Sequence, residues 1–150
     1  MKARIKWVEE AMFVAEGGSG HAVVIDGPPE GGGRNRGLRP MELLLLGLGG
    51  CTAYDVVSIL RKSRQAVADC VVEITAERAS EVPRVFTRIH VHFIVSGKGL
   101  SEPAVARAVS LSAEKYCSAS IMLGRTADIS HDYEIRDDRI RETAEESGNA

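Results

Sequence analysis

The run from Pro40 through Leu43-Leu-Leu-Leu-Gly-Leu-Gly-Gly to Cys51 constrains this chain more than any other segment. Pro40 suits the first turn of a helix, where its missing N–H costs nothing, and Glu42 complements the positive end of the helix dipole. The pattern predicts a helix from Pro40 to about Ser63, whose ~23 residues span ~35 Å. Its first half is apolar all round, which demands burial on every side. Gly47, Gly49 and Gly50 each cost up to ~1 kcal/mol relative to alanine in such a helix. Close approach of another backbone, such as a second copy of the same helix, is the expected compensation. The apolar stretch is shorter than the ~20 residues of a bilayer span, so a core helix in a homodimer is expected, with no membrane partner.

Composition narrows the function classes. A chain of 150 residues favours one domain and buries enough surface to fold without a metal or disulfide staple. The net charge of −2 argues against a protein built to hold nucleic acid. The start, Met1-Lys-Ala-Arg-Ile-Lys-Trp7, lacks the apolar core of a secretory signal, and three cysteines do not make a secreted disulfide framework. Both features point to the cytoplasm.

Periodicity supplies the remaining elements. Residues 2 to 26 alternate as short strands with a turn at Gly17-Gly-Ser-Gly20, a small meander. The stretch Asp26 to Leu38 is dense in Gly and Pro, and is predicted to be a mobile loop. Val71–Glu77 and Val85–Val95 alternate with period two and pair as a hairpin turned at Pro83. Its apolar face carries Val72, Ile74, Ala76, Val85, Ile89, Val91, Phe93 and Val95, leaving Arg88, His90 and His92 opposite. Ser101 caps a second helix with Val105, Ala108, Val109, Ser112 and Tyr116 on one stripe. A short helix from Ser118 to Leu123 and a strand from Ala127 to Ile135 complete an α+β domain of residues 1–136. The charged tail, 137–150, is expected to be disordered.

Cys51 in the apolar helix and Cys117 at the end of the second helix form the arrangement that thiol-based peroxide chemistry needs. Buried structural cysteines have the same surroundings. The thiolate is the reactive form, and burial raises a thiol's pKa, so Cys51 requires a cation. Arg39 lies twelve residues upstream, ~18 Å along the axis and out of reach. Arg34 and Arg36 in the glycine-rich loop, or Arg125 after the short helix, are the candidates. Glu42 sits ~13 Å from Cys51 and about 180° round the helix, so it does not touch the thiol from the same helix. Cys70 reads as a small hydrophobe. His90 and His92 share one strand face, with no evident carboxylate partner in sequence, and read as a solvated or packed face. Neither glycine cluster has the Gly-Lys-Ser/Thr continuation of a phosphate loop.

Lys6-Trp-Val-Glu9, Arg39-Pro-Met-Glu-Leu43, Gly49-Gly-Cys51 and Ala113-Glu-Lys-Tyr-Cys-Ser118 together resemble the osmotically inducible protein C and organic hydroperoxide resistance family, closest to its short bacterial OsmC-like branch. The resemblance covers roughly residues 1 to 136. It implies an OsmC-like fold in an intertwined homodimer and thiol-dependent reduction of hydroperoxides, with Cys51 in the peroxidatic and Cys117 in the resolving position. It implies no bound cofactor and an external dithiol reductant. The family's activating glutamate and arginine fall on Met41 and near Ser19, so Glu42 with Arg34 or Arg36 is the pair that could replace them. Leu44, Leu48, Tyr54 and Met122 would favour organic hydroperoxides. Two other readings stand beside this one: a non-catalytic dimer binding a small hydrophobic molecule, and a redox-sensing dimer with little turnover.

Overall fold

The computed structural model describes residues 1–137, so the tail expected to be disordered lies, but for Asp137, outside the described residues. Contacts divide the chain into two compact units, Met1–Leu46 and the residues from Gly47 onward.

In the first unit β1 (Ala3–Glu9), β2 (Met12–Gly17) and β3 (Ala22–Ile25) form the expected antiparallel meander in that order. Glu9 pairs with Met12, leaving a two-residue turn whose first member, Glu10, takes a left-handed φ of 46°. Trp7 donates its indole N–H to the Glu10 carbonyl at 2.8 Å and clasps that turn. Ile5, Trp7 and Val8 on β1 remain exposed.

The glycine-rich loop that follows is irregular, as expected, yet it is organised around one side chain. Asp26 is buried and accepts backbone N–H groups from Gly27 (2.7 Å), Arg34 (3.0 Å) and Arg36 (2.9 Å). The Arg36 N–H leads these donors in holding the Asp26 carboxyl below its ordinary pKa. Gly37 is required by close packing: a Cβ there would meet the Val24 carbonyl oxygen at 2.6 Å. These bonds supply the physical reason why a stretch that reads as mobile has a defined path.

Helix α1 (Pro40–Lys62) matches its predicted bounds closely. At its start the Glu42 carboxylate accepts the Arg39 backbone N–H at 2.8 Å, the reciprocal half of a capping box. Only Leu48, Thr52, Val56 and Leu60 are buried along it, a single stripe at four-residue spacing. The expectation of burial on every side is therefore not met within one chain: Leu44, Leu46 and Tyr54 are exposed. Contrary to the count of apolar residues in sequence, α1 is long and apolar enough, by length and composition, to cross a membrane. Gly49 packs on β4, where an added Cβ would meet Ile74 Cδ1 at 3.2 Å, whereas Gly47 and Gly50 face open space.

The second unit holds a three-stranded sheet in the order β4 (Val67–Arg78), β5 (Phe86–Gly97), β6 (Asp128–Asp137). β4 and β5 are the predicted hairpin, and β6 lies parallel to β5 because α2 (Glu102–Leu111) and α3 (Ser118–Leu123) carry the chain back to the same end of the sheet. Ile89, Val91, Phe93 and Val95 from β5, Leu60 and Val56 from α1, and Val105, Ala108 and Val109 from α2 make up the core. Val85 does not join it. Arg78 pairs with Phe86 and Glu77 with Arg88, so an extra residue bulges out and exchanges the faces. Phe86 is buried and Val85 is 41% exposed.

The outward face of the sheet carries His90 and His92. The parallel register sets Ser130 opposite His90 and Asp132 opposite His92. The carboxylate that seemed missing in sequence is Asp132, whose Oδ1 lies 2.5 Å from His92 Nδ1 and 3.3 Å from His90 Nε2. Its pKa is lowered, chiefly by the hydrogen bond from His92. Asp132 is exposed and the two histidines are half-buried on this face.

Candidate active site

The site lies in the second unit and is built by α1 and the turn that ends α2. Cys51, Thr52 and Asp55 follow one another along α1, with Cys51 and Asp55 one turn apart on the same face. Opposite them the chain leaves α2 through a π-helical turn, Ser112–Tyr116, in which the Cys117 N–H reaches back five residues to the Ser112 carbonyl at 2.9 Å. Wide turns of this kind re-aim side chains and recur at functional sites. Here the extra residue breaks the stripe expected on α2: Tyr116 turns outward, 50% exposed, and Cys117 is carried fully inside.

The thiols of Cys51 and Cys117 and a carboxylate oxygen of Asp55 all lie within 4.8 Å of one another. Cys51 is half-buried and Cys117 buried, and both are free thiols. Burial first, then the adjoining Cys51 thiol, pushes the pKa of Cys117 up to about 11. The Ser120 N–H, donating to Cys117 Sγ at 3.4 Å, and that of Ala119 act the other way without overcoming this.

A buried hydroxyl pair ties the two elements together. Ser112 Oγ lies 2.8 Å from Thr52 Oγ1 and donates to Asp55 Oδ2 at 3.2 Å. Asp55 also lines an open groove of ≈ 970 Å³ that runs past Tyr54, Ile59, Lys62, Arg107 and Tyr116. Asp55 thus stands beside the thiol pair, lines the groove, and accepts a hydrogen bond from a buried hydroxyl.

Of the residues singled out in sequence, the structure brings Cys51 and Cys117 together. Glu42 caps α1. Arg34 is engaged by Glu9 at 3.1 Å and Glu10 at 3.0 Å. Arg36 contributes its backbone N–H to Asp26, while its guanidinium has no hydrogen bond or ion pair among the described residues. Cys70 stands apart on β4, its pKa raised by burial. Asp55 and Ser112 were missed. Their signals were present as a charge one helical turn after a cysteine in an apolar helix, and a hydroxyl on an apolar stripe.

Residues 31–132 match the family described as OsmC-like protein. This chain belongs to that family. The Protein YhfA of Escherichia coli K12 is 52% identical to this OsmC-like protein over 135 residues, covering 90% of this chain and 98% of the relative. A hypothetical protein from Aquifex aeolicus shares the structure at a TM-score of 0.80 with 29% identity, covering 91% of this chain and 96% of its own. An organic hydroperoxide resistance protein OsmC from Legionella pneumophila aligns at a TM-score of 0.66 with 16% identity, over 89% and 95% of the two chains. At that identity the likeness shows the fold alone.

Proposed function

We propose that this OsmC-like protein reduces organic hydroperoxides through Cys51 and Cys117, in defence against oxidative stress. The observation that carries the reading is the meeting of two free thiols from distant parts of the sequence within 4.8 Å. The half-buried Cys51 is the sulfur that meets peroxide, and the buried Cys117, its pKa near 11, suits resolution rather than attack. The Cys51 thiolate attacks one oxygen of ROOH, the O–O bond breaks, and the alkoxide leaves with a proton as ROH. Cys51 becomes a sulfenic acid, Cys117 condenses with it, and water departs as the disulfide forms. An external dithiol then restores both thiols by exchange and is itself left as a disulfide. In this reading the organic R group lies in the groove that Asp55, beside the thiols, shares with Tyr54 and Ile59.

The active form in this reading is a homodimer. Trp7, Ile5, Leu44, Leu46 and Tyr54 are exposed, and a Cβ added at Gly47 or Gly50 would meet nothing within 4 Å among the described residues, which suits a second copy of the helix. Lipid is the poorer partner for α1, because Asp55 lies in its middle turns, where a bilayer makes a carboxylate expensive. Arg36, whose guanidinium has no partner among the described residues, is the candidate cation for Cys51, reaching it from the second copy; Arg34 is the alternative and would first have to leave its two glutamates. The chemistry belongs in the reducing cytoplasm, where dithiols are available.

Steady-state turnover of an alkyl hydroperoxide with a lipoyl-type or synthetic dithiol tests this. Wild-type protein should turn over, Cys51→Ser should abolish turnover, and Arg36→Met should slow it at least about tenfold, or ~1.4 kcal/mol of barrier. Binding of a hydrophobic ligand with no thiol loss on peroxide treatment would replace the enzyme with a binding protein.

A further inference from the structure

The thiol pair is accompanied by Asp55, and the three side chains together have the composition and spacing of a metal site. We propose that the reduced Cys51–Asp55–Cys117 cluster binds one thiophilic divalent ion, with zinc as the ion of first choice. Its donor atoms lie within 4.8 Å of one another. Tetrahedral zinc holds sulfur at ~2.3 Å and carboxylate oxygen at ~2.0–2.2 Å, which places neighbouring donors ~3.5–3.8 Å apart. A contraction of about 1 Å, within the range of side-chain rotation, closes the site.

Each part of the cluster suits this use. Cys51 and Asp55 are four residues apart on α1, the spacing by which helices present two zinc donors on one face. Cys117 comes from the π-helical turn and completes a set of three, leaving the fourth position for water. Ser112 Oγ, fixed by Thr52 at 2.8 Å, holds Asp55 Oδ2 at 3.2 Å, as outer hydrogen bonds orient metal-binding carboxylates. Two thiolates with one carboxylate select zinc or cadmium over magnesium and calcium. Three groups that become anionic on losing a proton stand close together, and a divalent cation among them removes their mutual repulsion. Asp55 lines the open groove, so the ion and its water have a path from solvent.

Binding replaces the two thiol protons: Zn²⁺ and two Cys–SH give the dithiolate complex and two H⁺. Once coordinated, both sulfurs are held as thiolates. If the proposed function holds, ROOH with two protons converts the complex to the disulfide, ROH, water and free Zn²⁺, so that oxidation expels the ion. This coupling rests on the peroxidase reading; the binding does not.

The test is calorimetric titration of the full reduced chain with Zn²⁺ in buffers of different ionisation enthalpy, with Cd²⁺ as an ultraviolet probe of thiolate coordination. The expected result is one ion per chain, about two protons released, and a cadmium–thiolate charge-transfer band. Cys51→Ser and Cys117→Ser should each remove the band or weaken binding by well over tenfold. Asp55→Asn should weaken it at least about tenfold, the scale on which even outer partners of metal ligands matter. Cys70→Ser should leave it unchanged, and the disulfide form should bind none. Absence of binding, or binding unaffected by Cys51→Ser and Cys117→Ser, would overturn the proposal. Zinc bound as described, with no peroxide turnover by the metal-free reduced protein, would sink the enzyme reading and leave the metal site standing.

Discussion

Replacing Ser112 by alanine removes one hydroxyl that serves two elements, and the structure sets the size of the effect. Ser112 has no exposed surface, and its Oγ meets Thr52 Oγ1 at 2.8 Å and Asp55 Oδ2 at 3.2 Å. A buried polar group left without a partner costs ~1–3 kcal/mol, and a hydrogen bond to a charged group contributes ~1.5–3 kcal/mol. Thr52 has an escape, since its hydroxyl can turn to the carbonyl four residues back on α1. Asp55 lines the open groove, where water can replace the bond. If both recover, the loss is about 1 kcal/mol; if neither does, it approaches ~3 kcal/mol. A value near 2 kcal/mol corresponds to a fall of roughly 4–8 °C in Tm for a chain of this size. The assay is urea unfolding of reduced protein at one fixed concentration, because subunit association makes stability concentration-dependent. Ser110→Ala, which removes an exposed hydrogen bond to Glu114, is the control and should stay within ~0.5 kcal/mol. A Ser112→Ala protein as stable as the control would refute the view that this hydroxyl joins α1 to the π-helical turn.

Three further outcomes follow from the same geometry. The Asp26 carboxyl is held below its ordinary value, so its contribution is present above the unfolded carboxylate pKa and is lost as pH falls through the depressed folded value; acid unfolding of Asp26→Asn should therefore depend less on pH in that window. The Cys117 pKa is raised from 9.0 to about 11, so the folded state keeps a proton that the unfolded chain releases, and reduced wild-type protein should lose stability relative to Cys117→Ser as pH rises from 9 toward 11. Gly37→Ala, which drives a Cβ to 2.6 Å from the Val24 carbonyl oxygen, should destabilise by ~1–3 kcal/mol in thermal unfolding.

The parts legible in sequence were those set by local chemistry. Pro40 and Glu42 mark the start of α1, the alternation around Ile74 and Val91 marks the hairpin, and the glycines at 17, 18 and 20 mark a turn. Long-range partners were not legible. Asp132 meets His92 only because α2 and α3 return the chain parallel to β5, a pairing across forty residues that leaves no periodic trace. One-residue irregularities defeat periodicity in the same way. The bulge before Arg88 exchanged Val85 for Phe86 in the core, and the π-helical turn exchanged Tyr116 for Cys117. The second exchange is the one that makes the site, since a regular α2 would have kept Tyr116 on its buried stripe.

The most direct test of the thiol pair is mass spectrometry of the reduced protein after one equivalent of an alkyl hydroperoxide, with thiols alkylated on quenching and peptides mapped. The account predicts one Cys51–Cys117 disulfide per chain, one ROH formed per disulfide, and Cys70 still free and alkylated. The sulfurs need close only from within 4.8 Å to the ~2.05 Å of a disulfide. Cys51 driven on to sulfinic acid while Cys117 remains a free thiol, or a disulfide made through Cys70, would contradict it.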